Sequence, residues 1–189
     1  MRLGVFGGSF DPIHNAHLVA ARVALEQLGL DEVRFVVAGS QPHKPEGHHA
    51  SATHRVEMVR AAVASIPDMS VDDREVIRGG PSFTVETLRD IQSEVPAAEL
   101  YLLLGADAAL RFAEWREPEV VRQLARVAIL SRPGIDVPAG FDRTVAIPAI
   151  DISSTAIRAR AAEARSLAGW VPDAVADYIS GLRLYLRLE

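Results

Sequence analysis

The first 38 residues pass through an apolar stretch, a helical period and a second apolar stretch, and this order leaves few architectures open. Residues 2–6 read as a short buried strand. Leu18, Ala21, Leu25 and Leu28 fall at the spacing of a helix, which Gly29 stops. Val33, Phe35, Val36 and Val37 then make a β-rich run within residues 31–38. Strand, helix and strand of this length form a βαβ unit with parallel strands and a right-handed crossover. The alternation continues with a helix over 53–66, a strand over 69–73, a helix over 84–94, and strands over 99–104 and 126–130. The pattern predicts one domain over 1–189, an α/β fold with a single doubly wound Rossmann-like parallel sheet flanked by helices. A helical segment over 172–188 closes the chain, and the Gly-, Pro- or His-rich stretches 39–50, 78–82 and 133–141 are its loops.

Composition narrows the chemistry. A chain of 189 residues, 49% hydrophobic, can build one such core. Its net charge of −5 argues against broad electrostatic binding to nucleic acid or to an acidic membrane, so phosphate recognition must be local. The absence of cysteine excludes disulfides, thiolate metal sites and a cysteine nucleophile. No basic, apolar leader opens the sequence, and no apolar run approaches the roughly 20 residues that cross a bilayer, which predicts a cytoplasmic protein.

The stretch from Gly4 to His17, Gly-Val-Phe-Gly-Gly-Ser-Phe-Asp-Pro-Ile-His-Asn-Ala-His, carries the densest chemistry. Gly7 and Gly8 read as a tight turn between the first strand and a helix from Leu18, with His14 and His17 at the helix start. Paired glycines allow close backbone approach to an anion, and free N–H groups at a helix start favour negative charge. Two imidazoles three residues apart share one face and can donate to the same polyphosphate. Neither G-x-x-x-x-G-K-[ST] nor G-x-G-x-x-G occurs at this junction, which excludes the two commonest phosphate loops.

In an open parallel sheet the ligand crevice lies beyond the carboxyl ends of the strands, so the segments that follow strands carry the remaining candidates. After the second strand, Pro42-His43-Lys44-Pro45 offers an ammonium as a point charge for phosphate. Arg78 to Thr84 leads into a helix whose N–H groups, with Ser82, Phe83 and the Thr84 hydroxyl, can take a carboxylate. Gly105 and Asp107 follow the fourth strand, and Trp115 can stack on an electron-poor ring. Ser131 and Arg132 end the next strand. Farther on, Ile152-Ser153-Ser154-Thr155 places hydroxyls at a helix start with Arg158 one turn above. Ordinary helix capping accounts for several of these residues taken singly. His43, His48, His49 and His54 lack the spacing and carboxylates of a closed zinc site and read as a solvated loop, so no protein metal site is expected.

The His14-Asn15-Ala16-His17 string resembles the H-x-G-H motif of the nucleotidyltransferase superfamily, with alanine at the glycine position, and Ile152 to Arg158 resembles its I-S-S-T-x-I-R motif. Pro42 to Lys44, Arg78 to Thr84, Leu104 to Trp115, Ser131 to Gly134 and Trp170 to Val175 resemble segments of bacterial nicotinate-mononucleotide adenylyltransferases. That resemblance implies transfer of the ATP adenylyl group to nicotinate mononucleotide with release of pyrophosphate, a step in making NAD, with magnesium on the phosphates. It implies catalytic roles for His14, His17, Lys44 and Arg158. It assigns Gly7, Gly8, Ser9, Phe10, Gly105, Asp107, Ser131, Arg132 and Ile152 to Thr155 to ATP, together with the two histidines and Arg158. It assigns Ser9, Asn15, Lys44, Ser82, Phe83, Thr84, Trp115 and Arg132 to nicotinate mononucleotide. Another acceptor, nicotinamide mononucleotide or phosphopantetheine, a cytidylyl donor, a nucleotide-binding regulator without turnover, and assembly into a homo-oligomer all stay open at this stage.

Overall fold

A computed structural model describes residues 1–40, 47–135 and 137–186. Its elements in order are β1 (Arg2–Gly8), α1 (Asn15–Leu28), β2 (Glu32–Val37), α2 (Ala52–Val63), β3 (Met69–Asp72), α3 (Arg74–Arg78) and α4 (Thr84–Glu94). There follow β4 (Glu99–Gly105), α5 (Ala106–Leu110), a 3-10 turn (Phe112–Glu114), α6 (Pro118–Leu124), β5 (Arg126–Ser131), β6 (Arg143–Ala146), α7 (Ser154–Ala162) and α8 (Asp173–Gly181). All strand pairs are parallel, in the order β3-β2-β1-β4-β5-β6. This is the doubly wound Rossmann-like sheet that the alternation predicts, and the direction of winding reverses between β1 and β4.

Period-2 alternation in the strands divides the core into two layers. Leu3 and Val5 of β1 join Leu100, Leu102 and Leu104 of β4 on one face, packed against Val85, Leu88 and Ile91 of α4 and Val121 of α6. Phe6, Tyr101 and Leu103 point the other way, toward Ala20, Ala21, Ala24 and Leu25 of α1, Val59 of α2, Ile157 of α7 and Val175 of α8. Strands apolar on both faces are what a helix-covered parallel sheet requires. Gly29 ends α1 in the left-handed conformation, φ 60 and ψ 46, with its N–H returned to the Leu25 carbonyl.

The structure departs from the sequence reading in detail, and the closing helix is confined to Asp173–Gly181. Gly7 and Gly8 form no turn: both continue β1, opposite Val36 and Val37 of β2, and the chain turns farther on, at Phe10 with φ 47. The helix expected from Leu18 begins at Asn15, because His14 already stands as its N-cap. On α1, Arg22 grips Asp68 through two hydrogen bonds of 2.5 and 2.8 Å. A planar guanidinium gains more from that fork than from a single contact along the helix. Among the described residues, no helix is long and apolar enough to cross a membrane.

Candidate active site

Two cavities open at the carboxyl ends of the strands, against opposite faces of the sheet. The first, about 470 Å³, is lined by His14, Ala16 and His17 of the β1–α1 region, Gly105 and Asp107, Arg132, and Ile152, Ser153 and Ser154. The second, about 620 Å³, is lined by Gly7 and Gly8, Glu75, Ser82, Phe83 and Thr84, Gly105 and Asp107, and Trp115 and Arg116. Gly105 and Asp107 border both, so a ligand in each would meet above the end of β4.

The imidazoles of His14 and His17 stack with centroids 3.7 Å apart. The His17 Nδ1 accepts the backbone N–H of His14 at 3.3 Å, so a neutral His17 carries its proton on Nε2, ready to donate. The Nδ1 of His14 is buried without a hydrogen-bond partner. Burial and, after it, the Arg132 guanidinium push His14 down to about 4. Burial and then the neighbouring His14 hold His17 well below the ordinary histidine range. Both rings are therefore neutral at pH 7 before a ligand arrives, and a polyphosphate beside them favours their charged forms. Phe10, 2% exposed, supports the pair from behind, its ring edge-on to His17 at 5.2 Å.

The second motif caps α7. Ser153 is the N-cap, its hydroxyl accepting the N–H of Ala156 at 3.2 Å. The Ser154 hydroxyl donates to the Pro12 carbonyl at 2.9 Å, which ties this helix start to the first-motif loop. Arg158 donates from Nη1 to the Asp11 carbonyl at 2.8 Å and from Nη2 to the Thr155 hydroxyl at 3.2 Å. These two contacts hold the guanidinium beside the loop that leads to His14, and neither Thr155 nor Arg158 borders either cavity.

In the second cavity Thr84 opens α4 and Phe83 is its N-cap, without a side-chain bond to the helix. The free N–H groups of that first turn remain for a carboxylate. Trp115 leans on Phe112 with centroids 5.3 Å apart, and the Arg116 guanidinium stands 4.7 Å over the Phe83 ring. Beneath them lies a buried polar chain: the Thr87 hydroxyl donates to Glu75 at 2.6 Å, the Ser82 hydroxyl bonds the same carboxyl, and Ser82 Oγ accepts the Gly39 N–H at 2.9 Å. Burial raises the Glu75 carboxyl, and the two hydroxyls partly offset that.

Other candidates border one cavity only, or neither. Gly7 and Gly8 border the second cavity and not the first. Arg132 borders only the first. The Asn15 amide donates to the Gly169 carbonyl at 2.9 Å and its backbone N–H to that of Trp170, so it anchors the chain before α8 and borders neither cavity. Ser131 donates to the carbonyls of Arg132 and Ile135 and shapes a turn. The Phe10 side chain is core, and Ser9 borders neither cavity; its carbonyl accepts from Arg55 at 2.8 Å. The Ser82 hydroxyl is occupied with Glu75 and Gly39. Lys44 lies outside the described residues. The described residues contain no group of three or more histidine or carboxylate side chains that could hold a metal, and His54 bonds the Tyr178 hydroxyl at 3.0 Å.

Sequence reasoning passed over Arg55, Glu75, Asp11 and Tyr185. Arg55 is 1% exposed and binds the carbonyls of Ser9, Ala38 and Gly39 at 2.8, 2.7 and 3.1 Å, joining the loops after β1 and β2. Only its place among the buried positions of α2, beside Val56 and Val59, marked it as other than a surface cation.

A doubly wound sheet with stacked histidines and a capped, arginine-bearing helix at its reversal places the chain among the nucleotidyltransferases, and the cytidylyltransferase-like family pattern matches residues 5–160. Relatives from Thermus thermophilus, 45% identical over 98% of this chain and 100% of their own, and from Chromobacterium violaceum, 39% identical over 97% and 98%, are each described as "probable nicotinate-nucleotide adenylyltransferase". Within that class, the chain belongs to the nicotinate-nucleotide adenylyltransferase family. The fold is shared with a Plasmodium falciparum nicotinic acid mononucleotide adenylyltransferase complexed with NaAD, with TM-score 0.79 and 21% identity over 100% of this chain and 99% of that one.

Proposed function

We propose that the chain transfers the adenylyl group of ATP to nicotinate mononucleotide, forming nicotinate adenine dinucleotide and pyrophosphate in NAD biosynthesis. The observation that carries this reading is the meeting of the two cavities at Gly105 and Asp107. One offers imidazoles and a helix start to a triphosphate; the other offers Trp115 and the open end of α4 to an aromatic acid. A 5′-phosphate held in the second cavity approaches the α-phosphorus of ATP held in the first. Its oxygen forms the new O–P bond while the bond from the α-phosphorus to the bridging oxygen breaks, and that electron pair leaves with pyrophosphate.

The attacking phosphate is already ionised at neutral pH, so the reaction needs no protein nucleophile, and position and charge carry it. His17 Nε2–H and His14 face the triphosphate, with His17 nearest the charge that grows on it. Arg158 adds fixed positive charge from the second motif, the start of α7 holds the ATP side, and Lys44 is assigned to the same phosphates. Thr84 and the first N–H groups of α4 receive the nicotinate carboxylate, and Trp115 stacks on its ring. Magnesium, when bound, neutralises phosphate charge. The dispersed donors around the cavities fit an ion held chiefly by phosphate oxygens and water.

Steady-state kinetics on Trp115→Ala test the division between the cavities. The reading predicts about tenfold higher KM for nicotinate mononucleotide with the KM for ATP within about twofold of wild type, as loss of a stacked ring entails. A rise in the ATP KM alone would reverse the assignment of the two cavities.

A further inference from the structure

Beyond α8, Tyr185 reaches back to the loop that leads to His14. Tyr185, at φ 65, packs against the layer that holds α1 and α2, and its hydroxyl donates to Asp11 Oδ1 at 2.8 Å. Asp11 is 5% exposed and is a junction of four segments. Its carboxylate also accepts the N–H groups of His49 at 2.7 Å and Ala50 at 3.1 Å, just before α2. Its backbone carbonyl accepts from Arg158 Nη1 at 2.8 Å, and three residues on stands His14. Neither Asp11 nor Tyr185 borders either cavity.

We propose that Tyr185 is a positioning residue for adenylyl transfer: its hydrogen bond fixes Asp11, and through the Asp11 carbonyl it sets where the Arg158 guanidinium stands over the phosphates. The proposal rests on the reading of Arg158 as a residue of the ATP phosphates. Burial, and then the charge of Asp11, push the Tyr185 phenol above the ordinary tyrosine range, so it stays a donor at neutral pH. Without that donor the buried carboxylate is short of a partner. Arg55, close enough for its charge to interact with Asp11, keeps an unpartnered buried Nε–H as a competing donor. A turn of Asp11 toward Arg55 would carry its carbonyl away from Arg158.

A second tyrosine supplies the control. Tyr178 lies in α8, and its hydroxyl also makes one part-buried hydrogen bond, at 3.0 Å, but to His54 on α2. Tyr178→Phe and Tyr185→Phe therefore remove the same group from neighbouring positions, and only the second touches Asp11. Kinetics at saturating ATP and nicotinate mononucleotide should show kcat lowered about tenfold in Tyr185→Phe, with the acceptor KM within about twofold. Tyr178→Phe should keep the wild-type kcat. Amide hydrogen exchange gives a reading independent of turnover: the N–H groups of His49 and Ala50 should exchange faster in Tyr185→Phe and not in Tyr178→Phe. Equal kcat in the two variants, or unchanged exchange at 49 and 50, would overturn the proposal. A wild-type chain that exchanges as expected but does not turn over would overturn the proposed reaction instead.

Discussion

Burial leaves neither His14 nor His17 charged at pH 7 in the free protein. The consequence for stability has a definite sign. An unfolded histidine takes up its proton near 6.5, whereas His14 in the fold does so only at about 4, so the unfolded chain binds more protons between those values. Neutral His14 thus contributes stability that is fully present above about pH 6.5 and is lost as pH falls toward 4, about 3 kcal/mol at most. Urea midpoints at pH 7.5 and pH 5 should fall less in His14→Asn than in wild type; parallel falls would place the acid sensitivity elsewhere. For His17 the signature is kinetic. His17→Ala should lower kcat at least a hundredfold with the ATP KM changed far less, because its donor serves charge that develops in the transition state. Gly8 has a steric role beside this pair: a Cβ there would stand 2.8 Å from the Phe10 ring, which supports His17. Gly8→Ala should therefore cost about 1–3 kcal/mol in chemical denaturation, whereas Gly7→Ala, with nothing within 4 Å of its Cβ, should cost less.

At the scale of elements, what could be read from the sequence follows from how each element is held. β1, β2, β4 and β5 are buried on both faces and so announce themselves as apolar runs. β6 is an edge strand of Arg143, Thr144, Val145 and Ala146 in which Val145 alone is buried, so its pattern is that of a loop. The five-residue helices α3 and α5 are too short to show a period, and they exist because their neighbours dock them. The site divides in the same way. Residues of one continuous segment, such as Ser153 to Arg158, were legible together, whereas a hydroxyl's partner was not. Ser131, Ser82 and Asn15 spend their polar groups on turns and anchors chosen by tertiary structure. Arg55 illustrates the limit: its three carbonyl partners stand 16, 17 and 46 residues before it, in the connections after β2 and β1. Arg55→Leu should destabilise the protein by about 3 kcal/mol, since one buried and two part-buried carbonyls lose their donor. A loss below about 1 kcal/mol in urea denaturation would mean that water or a rearranged loop replaces it.

On the scale of the whole molecule, the reversal of winding between β1 and β4 explains why there are two cavities and why they meet. α1 and α7 cover one face of the sheet and α4 and α6 the other, each cavity opens against one of those faces, and Gly105 and Asp107 border both. Two phosphorylated substrates brought there from opposite sides need only alignment and charge stabilisation to react. The central claim is therefore about which acceptor completes the reaction. The most direct measurement is pyrophosphate release from ATP, with magnesium and with EDTA in its place, offered in turn nicotinate mononucleotide, nicotinamide mononucleotide and 4′-phosphopantetheine, with CTP and glycerol phosphate as a further pair. Magnesium-dependent release with strong preference for nicotinate mononucleotide is the predicted result; preference for any other acceptor, or binding of ATP without release under every condition, would contradict it.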